Sequence, residues 1–179
     1  MKSARVEIKG ISALLMHRYP LEPVEALDKK PLEEQAEIAA YRTPETRELF
    51  IPAIALQRAM IAGATFSKGK GRASLQKPVA AALFINPERL GLGMTEYVVD
   101  ARAVVIPSTK GRIVRYRPRL DEWSVKFEIQ WDETLLTEPQ VRRVLDDTGS
   151  RVGLLDFRPA TKGPFGRFMV VEWYCNGLG

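Results

Sequence analysis

Residues 149–168 read GSRVGLLDFRPATKGPFGRF and concentrate the side chains best able to grip a polyanion. Arg151, Arg158, Lys162 and Arg167 lie among four glycines and two prolines, with Phe165 beside them. Arginine presents a planar fork that matches phosphate oxygens, and an exposed phenylalanine offers a face to a nucleobase. Glycines admit φ > 0 and close approach of a ligand to the backbone, and successive N–H groups in such turns form anion-binding concavities. The stretch therefore predicts a phosphate-binding loop. The competing expectation is a well-ordered turn whose arginines merely solvate it.

Other basic segments accompany it. SKGKGRASLQK spaces Lys68, Lys70, Arg72 and Lys77 with glycines and small polar residues, which suits either a phosphate-tracking loop or a solubilising one. Lys110-Gly111-Arg112 is a hairpin turn into IVRYRPR, so Arg112, Arg115, Arg117 and Arg119 crowd one return strand with Tyr116. On a regular strand, alternation puts Arg115, Arg117 and Arg119 on one face, where they repel unless a polyanion or acidic neighbours compensate. Pro118 marks an edge or terminal position. His17 stands beside Arg18 and is the chain's one histidine.

Other chemistry finds little to work with. Asp121-Glu122, Asp132-Glu133 and Asp146-Asp147 are each adjacent in sequence and diverge on a strand or a helix, so none makes a two-metal site alone. GLGMTE lacks the third glycine of a dinucleotide loop and no GxxxxGK is present, so no metal and no cofactor is expected. His17 at a strand end is a structural histidine or a general base.

At 179 residues with 45% hydrophobic content, a single domain with insertions is expected. Lys+Arg 27 against Asp+Glu 22 gives a net charge of +5, and the sequence pI is near 9.4, the footprint of a polyanion binder. The lone Cys175 excludes an internal disulfide. No apolar run approaches the roughly 20 residues of a membrane span, and MKSARVEIKG lacks a signal-peptide core, so a cytoplasmic protein is expected.

The elements that must position these residues follow from periodicity. A central strand is expected from Arg5 to Leu15. A helix-bearing surface insertion covers 20–48, with PLEEQAEIAAYR helical in composition. Pro52 opens a helix from Ala53 to about Phe66 whose buried stripe is Ile54, Met60, Ile61 and Ala64, with Gln57 and Arg58 outward. Val79–Ile85 reads as a buried strand and 97–119 as a projecting hairpin. Trp123–Trp131 alternates so that Trp123, Val125, Phe127, Ile129 and Trp131 share the core face. Thr137 and Gln140 have capping-box spacing before a helix carrying Val141, Val144 and Leu145, and Phe168–Tyr174 closes as a strand. Without insertions this is βαββαβ, an α+β, ferredoxin-like antiparallel sheet with two covering helices.

LFIPAIALQRAMIAGA and GLLDFRPATKGPFGRF, in those places in the fold, resemble the first-helix segment and the glycine-rich loop of the RAMP superfamily, the RNA-binding proteins that form the backbone of CRISPR effector complexes. Ala53 and Ala55 replace small polar positions of that pattern, and Asp156-Phe157-Arg158 interrupts its glycine run. The resemblance implies a nucleic-acid track along the glycine-rich loop and the end of the first helix. It also implies a projecting hairpin that splays bases or meets a neighbouring subunit. Some members are endoribonucleases with a histidine base, a role open to His17, and some backbone subunits keep a cleaving aspartate where Asp28 lies.

The expected function is non-enzymatic, sequence-independent binding of single-stranded nucleic acid, RNA ahead of DNA, by a subunit that self-associates into a filament or ribonucleoprotein. The expected contact residues are His17, Arg18, Lys68, Lys70, Arg72, Lys77, Arg112, Arg115, Arg117, Arg151, Arg158, Lys162, Phe165 and Arg167. The alternatives are a phage-type single-stranded DNA-annealing protein, an endoribonuclease using His17, and a structural subunit whose basic loops meet acidic proteins.

Overall fold

The computed structural model describes residues 1–21 and 26–176; Pro23, in the insertion, lies outside the described residues. Four strands form the main sheet: β1 (Lys2–Gly10), β4 (Leu83–Asn86), β8 (Ser124–Trp131) and β9 (Phe168–Asn176), in the order β4-β8-β1-β9 with every neighbour antiparallel. A three-stranded sheet, β2-β7-β6, is built from β2 (Leu14–Leu15), β6 (Val98–Val105) and β7 (Arg112–Leu120). β3 (Phe50–Pro52) pairs with β5 (Arg89–Gly91). The helices are α1 (Leu32–Ile38), α2 (Ala53–Gly63), α3 (Gln76–Ala82) and α4 (Glu138–Asp147). The fold is thus α+β with antiparallel sheets.

Alternation in β1 and β8 decides the layering. Ala4, Val6 and Ile8 share a buried core with Val125, Phe127, Ile129 and Trp131, and Leu56, Ala59 and Met60 of α2 and Val141, Val144 and Leu145 of α4 complete it. The opposite sheet face, with Arg5, Lys9, Phe84, Lys126 and Tyr174, is open. α4 begins as its sequence predicts, with the Thr137 N–H donating to Gln140 Oε1 at 2.9 Å.

Four expectations need correction. The strand expected through Leu15 ends at Gly10, and Leu14 and Leu15 leave the main sheet to pair with Leu120 and Arg119. The break has a steric cause: a Cβ at Gly10 would fall 2.1 Å from the Trp123 indole, whose Nε1 donates to the Ser12 carbonyl at 2.9 Å. The run expected as a strand over 79–85 is helix to Ala82 and strand only from Leu83, because a run of alanines costs least in a helix. The α2 stripe is rotated: Ala53, Leu56, Ala59, Met60 and Gly63 are buried while Ile54 is 55% exposed. Pro118 lies in the middle strand of its sheet, not at an edge. Its carbonyl accepts the Met16 N–H at 2.9 Å, so the side on which it lacks an N–H faces the end of the two-residue β2.

The insertion is more than a solvated decoration. Gln35, Ala36, Ala39 and Ala40 are buried, and Glu37 accepts from Arg42, Arg47 and Tyr97, which clasps α1 to the foot of the hairpin. Burial and the Glu37 bond push the Tyr97 hydroxyl up to about 12.

The glycine-rich loop folds upon itself. Gly166 adopts φ 75°, and a Cβ there would stand 2.0 Å from the Leu154 carbonyl oxygen. Gly166→Ala combines a backbone conformation that side chains rarely adopt with a backbone clash, and thermal or denaturant unfolding should record a loss of about 1–3 kcal/mol or more.

Candidate nucleic-acid interface

Residues 149–168 form a cinched loop. Many of its N–H groups are spent on the chain itself: Leu154 donates to Gly166, Asp156 to Leu15, Gly163 to Arg158, Phe165 to Phe157 and Gly166 to Ala13, all between 2.8 and 3.1 Å. The glycines serve this self-packing rather than the approach of a ligand, since Gly149, Gly153, Gly163 and Gly166 are all buried, and Cβ atoms at Gly149, Gly163 and Gly166 would strike backbone carbonyls within 2.2 Å. Leu155, Phe157 and Lys162 occupy the left-handed region without being glycine. Strained backbone of this kind persists where the surroundings over-determine it.

Asp156 is the junction. Its Oδ2 accepts a short bond from Arg117 Nη1 on β7 and lies 3.7 Å from His17 Nδ1. Burial raises its pKa, but the facing imidazole and the Arg117 guanidinium more than offset this and hold the carboxyl below its ordinary value of 3.8. On one side of Asp156 lies a cavity of about 270 Å³ lined by His17, Tyr41, Ala55, Arg58, Leu155, Asp156 and Arg158. Arg58 and Arg158 make no ion pair among the described residues, and the Nε of Arg158 is buried without a partner. Burial also raises the Tyr41 hydroxyl. On the other side a cavity of about 380 Å³ separates the hairpin from the loop.

A second cationic cluster stands at the far end of α2. The Arg151 guanidinium covers the Phe66 ring at 4.7 Å, and Phe66 and Lys68 line a cavity of about 480 Å³ with Arg143 of α4. From Arg58 to Phe66 the helix and its 3₁₀ extension advance about 13 Å, so the two clusters flank one crest. No protein-family model matches the chain, and no curated protein matches it.

The expected contact residues divide by what they touch. Lys68, Lys70, Arg72, Lys77, Arg112, Lys162 and Arg18 are exposed, Arg115 and Arg158 half-buried, and none of them forms an ion pair among the described residues. The 68–74 segment is a closed turn, with the Gly69 N–H on the Ala73 carbonyl at 2.9 Å, at the far end of α2. Arg151 is 3.5 Å from Asp147, and Arg167 donates to the Ser150 carbonyl at 3.1 Å while remaining exposed. Arg117 is 6% exposed and committed to Asp156, so it is part of the frame. Phe165, expected to stack a base, is 6% exposed beneath Arg102, and the accessible ring of the loop is Phe157. Sequence reasoning passed over Arg58, Tyr41, Phe66, Arg102 and Asp156. Arg58 was findable as the lone charge in an apolar helix and Asp156 as the lone acid of a basic loop; nothing in the insertion marks Tyr41.

Because the Asp156 pKa is depressed on folding, its stabilisation is fully present above pH 3.8 and lost as pH falls through the lower folded value. Asp156→Asn should therefore destabilise at neutral pH and converge on the parent protein in acid. The neutral-pH loss falls at the low end of the about 3–5 kcal/mol for a broken buried pair, since Asp156 keeps 29% exposure. Unfolding of both proteins across that pH range measures it.

Proposed function

We propose that this protein binds single-stranded nucleic acid, RNA ahead of DNA and largely without regard to sequence, along the crest of α2 and the glycine-rich loop. One observation carries this: unpaired arginines from two elements, Arg58 of α2 and Arg158 of the loop, line a single cavity with His17. Beyond it the crest leads to a second cluster, where Arg151 and Phe66 stand beside Lys68 and Arg143. Cations set along a ridge with an exposed ring, all but Arg151 without an ion pair among the described residues, fit a sugar–phosphate chain that carries its own bases. The open sheet face fits it less well. Its concavity of about 700 Å³ sets Arg5 and Lys126 against Glu128 and Glu172, with no excess of positive charge.

We read the strand order β4-β8-β1-β9, with α2 and α4 on one face, as the ferredoxin-like plan with the hairpin and the α1 segment inserted. Together with the resemblance to RAMP proteins, this favours a repeating subunit that covers a strand by self-association, as in a CRISPR-like ribonucleoprotein. Fluorescence anisotropy against oligo(U) tests the binding. Arg58→Ala and Arg158→Ala should each lower affinity and reduce the magnitude of the log–log salt slope by about 0.7, while Lys126→Ala on the sheet face leaves both unchanged. Loss of affinity on Lys126→Ala with none on Arg58→Ala moves the interface to the sheet.

A second activity is favoured by the placement of Asp156 at 3.7 Å from His17 Nδ1 in the cavity that holds Arg58, Arg158 and Tyr41. A carboxylate can fix an imidazole as general base while arginines hold the scissile phosphate. His17→Ala should then abolish cleavage of end-labelled RNA and leave its binding intact; an RNA that survives incubation with the parent protein sinks the nuclease.

A further inference from the structure

We propose that the outer edge of β9 pairs with β9 of a second copy of this chain, antiparallel about a two-fold axis at Tyr174. β9 closes one side of the main sheet and is bonded to β1 alone. The Gly10 N–H donates to the Trp123 carbonyl at 2.9 Å, away from β9. Because the direction of backbone groups alternates along a strand, Ile8, Val6 and Ala4 of β1 face β8 as well. Their partners on β9, Val170, Trp173 and Cys175, therefore turn N–H and carbonyl out of the sheet, and none of these groups has a hydrogen-bond partner among the described residues. Phe168 shares the orientation, but the chain at Gly149 packs against its carbonyl, where a Cβ would come within 2.2 Å. An extra residue opposite Glu7 and Ile8 then separates Val170 from the rest. The continuous pairing edge is thus Trp173 to Cys175.

The side chains of β9 describe an unfinished edge on both faces. On the core face Val170, Trp173 and Cys175 are only partly covered. On the open face Met169, Val171 and Tyr174 are exposed, Tyr174 by 61%. A strand laid beside β9 covers both rows at once. The opposite edge of the sheet is closed instead: β4 has four residues, ends before Pro87, and its Leu83 carbonyl accepts the Gln57 amide at 3.1 Å. Exposed edges are ordinarily kept short or guarded by lysine or proline, and β9, with nine residues, carries neither; the bulge is its one guard.

A second copy suits this edge for two reasons. The chain carries a net charge of +5, so copies repel over most approaches, whereas β9 brings only Glu172. A two-fold axis at Tyr174 also sets Trp173 against Cys175 of the second copy, and Cys175 against its Trp173, so the outward groups of both residues find partners. Tyr174 then faces its own counterpart in a close pair of aromatic rings, and Glu172 stands clear of its counterpart. Such an interface is small and belongs to the weak, transient class. It closes at two copies, so it is a contact separate from the repeating one proposed above and does not rest on strand binding.

Sedimentation equilibrium of the full chain, free of nucleic acid, should show a mass that rises with concentration from 20.1 kDa towards twice that value. Tyr174→Lys sets like charges directly opposite each other and should raise the dissociation constant about ten-fold or more. Tyr174→Phe should leave it unchanged, as should Phe84→Lys at the other edge, and melting temperatures show that each variant keeps its fold. Amide exchange followed by NMR should slow at Trp173 and Cys175 as the dimer forms. A mass that stays at 20.1 kDa overturns the pairing. So does a dimer indifferent to Tyr174→Lys, or one in which those two amides exchange as fast as in the monomer. Strand binding is measured apart, against oligo(U), so either reading can fail while the other stands.

Discussion

The Arg117–Asp156 pair joins the two parts of the molecule that sequence separation would leave independent. Arg117 belongs to the return strand of an inserted hairpin and Asp156 to a loop beyond α4, and Asp156 lines the cavities on both sides of the bond. Arg117 keeps only 8% of its side-chain exposure. A guanidinium so far from water needs a carboxylate, and the carboxylate in turn is placed by its own N–H on the Leu15 carbonyl. His17, Arg58 and Arg158 line one cavity with that carboxylate.

The same logic sorts the arginines of the hairpin. Three arginines on one strand face must be compensated by a bound polyanion or by acids, and here acids do most of it: Asp156 holds Arg117, while Asp100 and Asp121 hold Arg119. Asp100, 4% exposed, also takes Arg102. Arg115 is left opposite Arg102 with no carboxylate of its own among the described residues. The foot of the hairpin is therefore a structural ion-pair network, and only Arg115 and the tip around Lys110 and Arg112 keep charge to offer elsewhere.

How much of this was legible in the sequence depended on whether a local rule decided the outcome. The alternation of Trp123 through Trp131 could be satisfied only by a strand with one buried face, and the Thr137–Gln140 spacing fixed the start of α4. The hairpin, the α1 segment and the last strand were also readable, because turn residues bound them, whereas β1 stops at Gly10 short of its expected end and β4 begins only at Leu83. The α2 face was misjudged because Ala53, Ala59 and Gly63 pack inward: a small residue lets the helix approach the sheet closely, and hydrophobicity alone gives it little weight against Ile54. The glycine-rich loop was located correctly and given the wrong mechanics. Its composition describes backbone freedom, whereas in the fold that freedom is used up in contacts of the loop with itself, which no count of glycines foretells. The pairing of Asp156 with Arg117, 39 residues apart, had no local signature.

A loop so constrained has a consequence for binding. Side chains on a mobile loop lose conformational entropy when they close on a ligand, and that loss is subtracted from affinity. Arg158 and Phe157 project from a backbone already fixed by hydrogen bonds within the loop and to Ala13 and Leu15, and by three non-glycine residues in the left-handed region. The strain is met at folding, so the Arg158 guanidinium and the Phe157 ring are held in place before any ligand is met. Loop arginines that merely dissolve a turn need no such preparation. The Nε of Arg158, buried without a partner, is held there by that fixed backbone instead of being turned out to water.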